Sequence, residues 1–281
     1  AALEGMTSEK GLYWISHPQW QVRLSALASL RKSREAVGPL VESLGSPDVR
    51  WRLRACDVLS GLTSTRLPPD ATVWRDWWNA NRGDFEAGAY EPDRPRAAEG
   101  PGRTTFYDVP IDSTRVCFVI DRSMSMREEG RFQAAKNELK RNLDLLPDGA
   151  LFNIVFFSGW THAFARGPRA LDRAVRREAA EYVDRMGYGT CTDVYGALEK
   201  ALTFVGNAET GRLREDGLDT IVLLSDGKAT VGRVIDDDLV ARVFARRARF
   251  LRPVVHAVSL GTESRSLRLL AERTGGGYRT R

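Results

Sequence analysis

Cysteine and histidine are scarce in this chain, with three of each in 281 residues. Cys56, Cys117 and Cys191 are an odd number, far apart, and fall in three different predicted elements. They form neither a zinc pattern nor a disulfide framework. Cys56 and Cys117 have apolar neighbours and read as small core residues, while His17, His162 and His256 are isolated from one another and from the cysteines. No apolar run approaches the ~20 residues of a membrane-spanning helix, and Ala1 to Tyr13 lacks the basic start and apolar centre of a signal peptide. The chain starts at Ala1 without a methionine, which reads as a processed or trimmed product and leaves the compartment open, with the cell envelope or the exterior favoured. Also missing are a Gly-x-x-x-x-Gly-Lys-Ser/Thr loop, a Gly-x-Ser-x-Gly elbow and the third glycine of a dinucleotide fingerprint after Gly187-Tyr188-Gly189. The common nucleotide-binding and serine-hydrolase signatures are thereby excluded.

The net charge is +5, from 42 basic and 37 acidic residues, but it is dispersed. The densest basic stretch, Arg242, Arg246, Arg247, Arg249 and Arg252, lies on a predicted helix whose Val243, Phe244 and Phe250 look core-facing. Without a recognition motif, it reads as a solvated face and gives no specific nucleic-acid partner. At 42% hydrophobic content the chain can bury a sizeable core, and two domains are expected.

In the first 83 residues, Pro18 to Ala26 aligns with Pro47 to Ala55, and Leu30 with Leu59, at a constant offset of 29 residues. Each copy starts as a proline-led helix, and Ala36 to Leu44 supplies a second helix between them. Trp74, Trp77 and Trp78 share one face of a further helix, a stripe expected to close a core. The region resembles HEAT-type helical repeats, whose helices stack into a solenoid. Residues 84–103 turn rich in Pro, Gly, Ala, Glu and Arg without periodicity and read as a linker, leaving 104–281 as the second domain.

The second domain alternates strand and helix, which predicts an α/β fold with a doubly wound, mostly parallel sheet. Phe118-Val119-Ile120 is continuously apolar, as a strand buried on both faces requires, and runs straight into Asp121-Arg122-Ser123-Met124-Ser125. One carboxylate and two hydroxyls spaced two apart on a turn can converge on a hard cation, which takes oxygen ligands. A second segment, Gly187 to Leu198, is a Gly-rich loop leading into a helix, with Thr192 at its entrance. A third, Thr220 to Leu224, is another buried strand ending in Ser225-Asp226-Gly227. Open α/β sheets bind ligands outside the carboxyl ends of their strands, so Asp121, Ser123, Ser125, Thr192 and Asp226 are candidates for one metal site.

From about Thr104 to Arg281 the chain resembles a von Willebrand factor A domain, and the five residues match its metal-ion-dependent adhesion site. Ser225-Asp226-Gly227-Lys228-Ala229-Thr230-Val231-Gly232 is similar to the family's Ser-Asp-Gly-x-x-Thr-x-Gly segment, and Thr192 precedes Leu198 as in Gly-Thr-Asn-x-x-x-Ala-Leu. Met124 and Cys191 stand where the family usually has glycine. The resemblance implies Mg²⁺, with Mn²⁺ or Ca²⁺ as substitutes, held by Ser123, Ser125 and Thr192 directly and by Asp121 and Asp226 directly or through water. It further implies a protein partner that completes the shell with an Asp or Glu carboxylate, without catalysis. Two other readings compete: a Mg²⁺-dependent phosphatase, against which Ser123 replaces the second aspartate such enzymes carry, and a scaffold whose repeats bind the partner.

Overall fold

The computed structural model describes residues 8–91, 104–226 and 228–281. The chain divides into two compact units, 1–102 and 103–281. Among the described residues no helix is long and apolar enough to cross a membrane.

The first unit is all helix: α1 (Ser8–Trp14), α2 (Trp20–Leu30), α3 (Val37–Ser43), α4 (Val49–Thr63) and α5 (Ala71–Glu86), with a 3₁₀ turn at Arg34–Ala36. The two sequence copies become α2 and α4, each starting two residues after its proline. The Asp48 carboxylate accepts from Arg50 N to cap α4, and Asp70 accepts from Thr72 N and Val73 N to cap α5, supplying acceptors to otherwise unpaired first-turn amides. Leu30, Leu40, Leu44, Leu59 and Trp74 are fully buried in one core. Of the tryptophan stripe, Trp74 is enclosed, and Trp77 and Trp78 lie edge-on to Phe85. Phe85 is buried against that stripe, so α5 runs on through residues 84–86, where the sequence alone places the linker to 103. Residues 92–103 of that segment lie outside the described residues.

The second unit opens with a two-residue-loop hairpin, β1 (Thr105–Phe106) and β2 (Val109–Pro110). The sequence suggests a longer hairpin in which 104–109 pairs with 115–120. Instead, Tyr107 and Asp108 both adopt positive φ, 48° and 59°, the geometry of a tight primed turn. That leaves β3 (Arg115–Asp121) free to enter the main sheet, in which it pairs in parallel with β4 (Leu151–Phe157) and β9 (Thr220–Ser225). The antiparallel edge strands β5 (Thr161–Ala163) and β6 (Arg169–Ala170) pair with β4. On the other side β9 pairs in parallel with β10 (Val254–Ser259), and β10 with β11 (Tyr278–Thr280). The order is β11-β10-β9-β3-β4-β5, and a small separate hairpin joins β7 (Gly206–Asn207) to β8 (Arg212–Leu213).

Helices cover both faces, which explains why β3, β9 and β10 show no polar alternation. Val116, Phe118 and Ile120 pack beneath α6 (Arg131–Leu145) and α7 (Arg173–Arg185). Cys117 and Val119 face α8 (Val194–Leu202), α9 (Asp237–Arg247) and α10 (Arg265–Thr274). Cys117 is fully buried, and that burial pushes its thiol far up from the usual range. Because the central strands are parallel, the loops after Asp121, Phe157, Ser225 and Ser259 emerge at the same edge of the sheet.

Candidate metal centre at the carboxyl edge of the sheet

Asp121 is the last residue of β3 and is fully buried. Its Oδ1 accepts from Ser123 N at 2.8 Å and its Oδ2 from Ser225 Oγ at 2.5 Å. Burial pushes its carboxyl up to about 6, against the opposing effect of those donors, and the nearby Asp226 charge adds to the rise. Ser123 Oγ lies 3.1 Å from Ser125 Oγ, and Ser125 Oγ donates to Asp226 Oδ1 at 2.8 Å. Four of the five candidates are thus linked bond to bond. Ser123 is buried and Ser125 exposed; the side chain of Asp226 is fully covered although its backbone is partly open. Asp226 Oδ2 meets Arg131 Nη1 at 3.4 Å, and the same guanidinium faces Glu128 and Glu129 at 3.5 and 3.2 Å.

Thr192 reaches this edge on the loop before α8 and is almost fully buried. Its backbone fixes it: Thr192 N donates to Thr230 Oγ1 at 2.9 Å, and Thr192 O accepts from Thr230 N at 2.8 Å. The neighbouring Asp193 caps α8 by accepting from Gly196 N, while Asp193 N donates to Ser158 O.

Arg122 stitches these loops together. Its backbone N donates to Phe157 O and its carbonyl accepts from Gly189 N at 2.7 Å. Its guanidinium donates to the carbonyls of Gly187 and Tyr188 at 2.8 and 3.0 Å, and Nη2 lies 3.0 Å from His162 Nε2. Gly189 is required at that crossing, because a Cβ there would collide with the Ser158 side chain. Met124, where a side chain replaces the family's usual glycine, is 46% exposed.

The donors fit a hard divalent cation: two carboxylates and three hydroxyls, with no nitrogen or sulfur among them. Among the described residues no group of three or more His, Cys, Asp and Glu gathers to hold a metal ion, at this edge or any other, so the centre depends on its hydroxyls. Two contributors, Arg122 and Arg131, escape a reading of the sequence, because they act through cross-loop contacts that no local pattern announces. Ser225 and Thr230 belong to the Ser-Asp-Gly-x-x-Thr-x-Gly segment, but their support of Asp121 and Thr192 is seen only through strand register and cross-loop bonds.

Residues 116–228 match the family model of the von Willebrand factor type A domain. Among solved structures, a von Willebrand factor type A protein from Catenulispora acidiphila aligns at 22% identity and a TM-score of 0.51, covering 59% of this chain and 38% of that one. Proximal thread matrix protein 1 from the mussel byssus, with a zinc-occupied MIDAS motif, aligns at 19% identity and a TM-score of 0.45, covering 59% of this chain and 40% of that one. The chain therefore spans about two fifths of the length of either relative. No curated protein matches it. Residues 116–228 are thus similar to a von Willebrand factor type A domain, and the second unit has that family's α/β fold with a mostly parallel central sheet flanked by helices.

Proposed function

We propose that the chain is a non-enzymatic, divalent-metal-dependent protein-binding module comprising a HEAT-like repeat domain that α5 carries past residue 83 to Glu86, a linker ahead of residue 104 and the metal-bearing domain (104–281). The hydroxyls of Ser123, Ser125 and Thr192 would contact the ion. Asp121 and Asp226 would hold those hydroxyls and neutralise the charge directly or through water. The observation carrying this reading is the hydrogen-bonded chain Asp121–Ser123–Ser125–Asp226, which gathers hard oxygens where loops from separate strands meet.

Mg²⁺ is the proposed ion because it keeps part of its water shell when few protein ligands are offered. A bound cation supplies an electrophilic point that an acidic side chain of a partner protein can complete. Ser225 and Ser123 N orient the Asp121 carboxylate, and Arg131 stands against Asp226. With Ser123 two residues after Asp121, the loop lacks the second carboxylate that an aspartyl-phosphatase mechanism uses as acid and base. The repeats of the first unit are proposed as a scaffold.

Thermal denaturation tests the metal reading. Added Mg²⁺ raises the melting temperature of the wild-type chain, and Asp121→Ala removes the rise. A chain that responds to none of Mg²⁺, Mn²⁺ and Ca²⁺ would overturn it, and turnover of a generic phosphomonoester lost in Asp121→Ala would replace it with the enzyme reading.

A further inference from the structure

Large apolar side chains in the second unit are exposed chiefly on one surface. Seven are exposed among its described residues, and five of them, Met124, Trp160, Tyr188, Ile235 and Leu239, lie on the loops or first helical turn at the carboxyl edge of the sheet. The remaining two, Leu145 and Phe250, sit at or just beyond the far ends of α6 and α9. Trp160 is 79% exposed in the turn between β4 and β5. Its carbonyl accepts from Ser158 N, and Ser158 O accepts from Asp193 N, so Trp160 is fixed to the loop that carries Thr192. Tyr188 is held by Arg122 through its carbonyl and by ring contact with Phe132 at 5.1 Å. Met124 stands between Ser123 and Ser125. Ile235 and Leu239 flank Asp236 to Asp238, so Met124, Trp160 and Tyr188 form the apolar side of this edge, and exposed apolar groups gathered at one edge mark an interaction surface.

The opposite flank of the same edge is acidic. A cavity of about 440 Å³ opens beside Asp226 and is bordered by Asp236, Asp237, Asp238 and Glu263; Lys228, Arg265 and Arg268 pair with Asp237, Asp238 and Glu263, and Arg131 with Asp226, so the flank keeps a small excess of carboxylate, centred on Asp236. From the Trp160 side to this cavity the edge crosses β4, β3, β9 and β10, three gaps of about 4.8 Å each, about 14 Å in all. An extended segment advancing about 3.3 Å per residue covers that distance in about five residues.

We infer that the metal-bearing face docks an extended segment of a partner protein in which an acidic residue is flanked by bulky apolar residues on one side and basic residues on the other. The inference rests on the metal reading above, which supplies the central carboxylate contact. The apolar residues cover Met124, Trp160 and Tyr188, and the basic ones enter the acidic cavity.

The probe is a pair of short fluorescein-labelled peptides, Phe-Leu-Asp-Gly-Lys-Lys and its reversed order, titrated with the full chain in Mg²⁺ and read by anisotropy. One orientation binds, and replacing Phe-Leu by Ser-Ser weakens it about tenfold or more. Trp160→Ser with Tyr188→Ser weakens the parent peptide equally while the Mg²⁺-induced rise in melting temperature stays. Binding that ignores the serine replacements, in peptide or protein, overturns the inference and leaves the metal reading standing. No binding up to about 1 mM overturns it likewise. Apolar-dependent binding that survives chelator, with no Mg²⁺ stabilisation, overturns the metal reading and with it the occupant as stated.

Discussion

The two ends of the central sheet each hold an aspartate among hydroxyls, with opposite outcomes. At the amino edge Asp219 Oδ1 accepts from Ser113 Oγ at 2.6 Å and from Thr220 Oγ1 at 3.0 Å, and all three residues are buried. Ser113 Oγ in turn accepts from Arg115 N, so the cluster closes on itself and pins the entry to β3 against β9. At the carboxyl edge the same residue types fan outward, from buried Asp121 through Ser123 to exposed Ser125. Residue identity alone therefore separates structure from site poorly. What separates them is the direction of parallel strands, which sends successive loops out of one edge.

Breaking the carboxyl-edge cluster has the largest effect on function. Asp121→Ala abolishes the whole metal-induced rise in melting temperature, whereas Asp219→Ala leaves that rise intact. For folding, Asp219→Ala strands two buried hydroxyls and lowers stability by about 3 kcal/mol in urea denaturation. His256, midway along β10, contributes a pH response that belongs to neither cluster. Its Nδ1 accepts from Gly277 N, and burial lowers its pKa from 6.5 to about 4. The unfolded chain binds this proton more readily between those values, so His256 by itself lowers stability by about 2 kcal/mol from pH 7 to pH 5, while Asp121, raised to about 6, takes up a proton in the folded chain over the same interval and offsets part of that loss. His256→Asn removes the destabilising share, so stability then rises as pH drops in denaturation curves taken across the interval. The smallest structural effect is at Ser125: Ser125→Ala changes stability by less than about 0.5 kcal/mol, yet shifts the Mg²⁺ titration midpoint upward. Equal losses of stability and metal response at Ser125 would erase the contrast between the edges.

The fold was legible in the sequence wherever burial on two faces forces continuous apolar runs. Phe118 to Ile120 and Thr220 to Leu224 mark central strands, and both end one residue before the structure ends β3 and β9. Amphipathic helices were readable within a few residues for the same reason. The β1–β2 hairpin was not, because its turn uses Tyr107 and Asp108 at positive φ in place of the glycine or asparagine that advertises such turns. The β7–β8 hairpin was hidden by its two-residue strands. Of the candidate centre, the residue set was legible and its support was not. Asp121 depends on Ser225 across strands and Thr192 on Thr230 across loops, and such pairs become visible only once register is known.

The Arg122 crossing has a mechanical consequence. Its amide is anchored to the end of β4 and its carbonyl to the Gly-rich loop, so the segment carrying Asp121 and Ser123 is bolted to two other segments through main-chain atoms. A tug on anything held by those residues would be shared among β3, β4 and the loop before α8, in place of peeling a single loop from the surface. The grip is only as strong as its least anchored segment, and here two strand ends and a loop are loaded together.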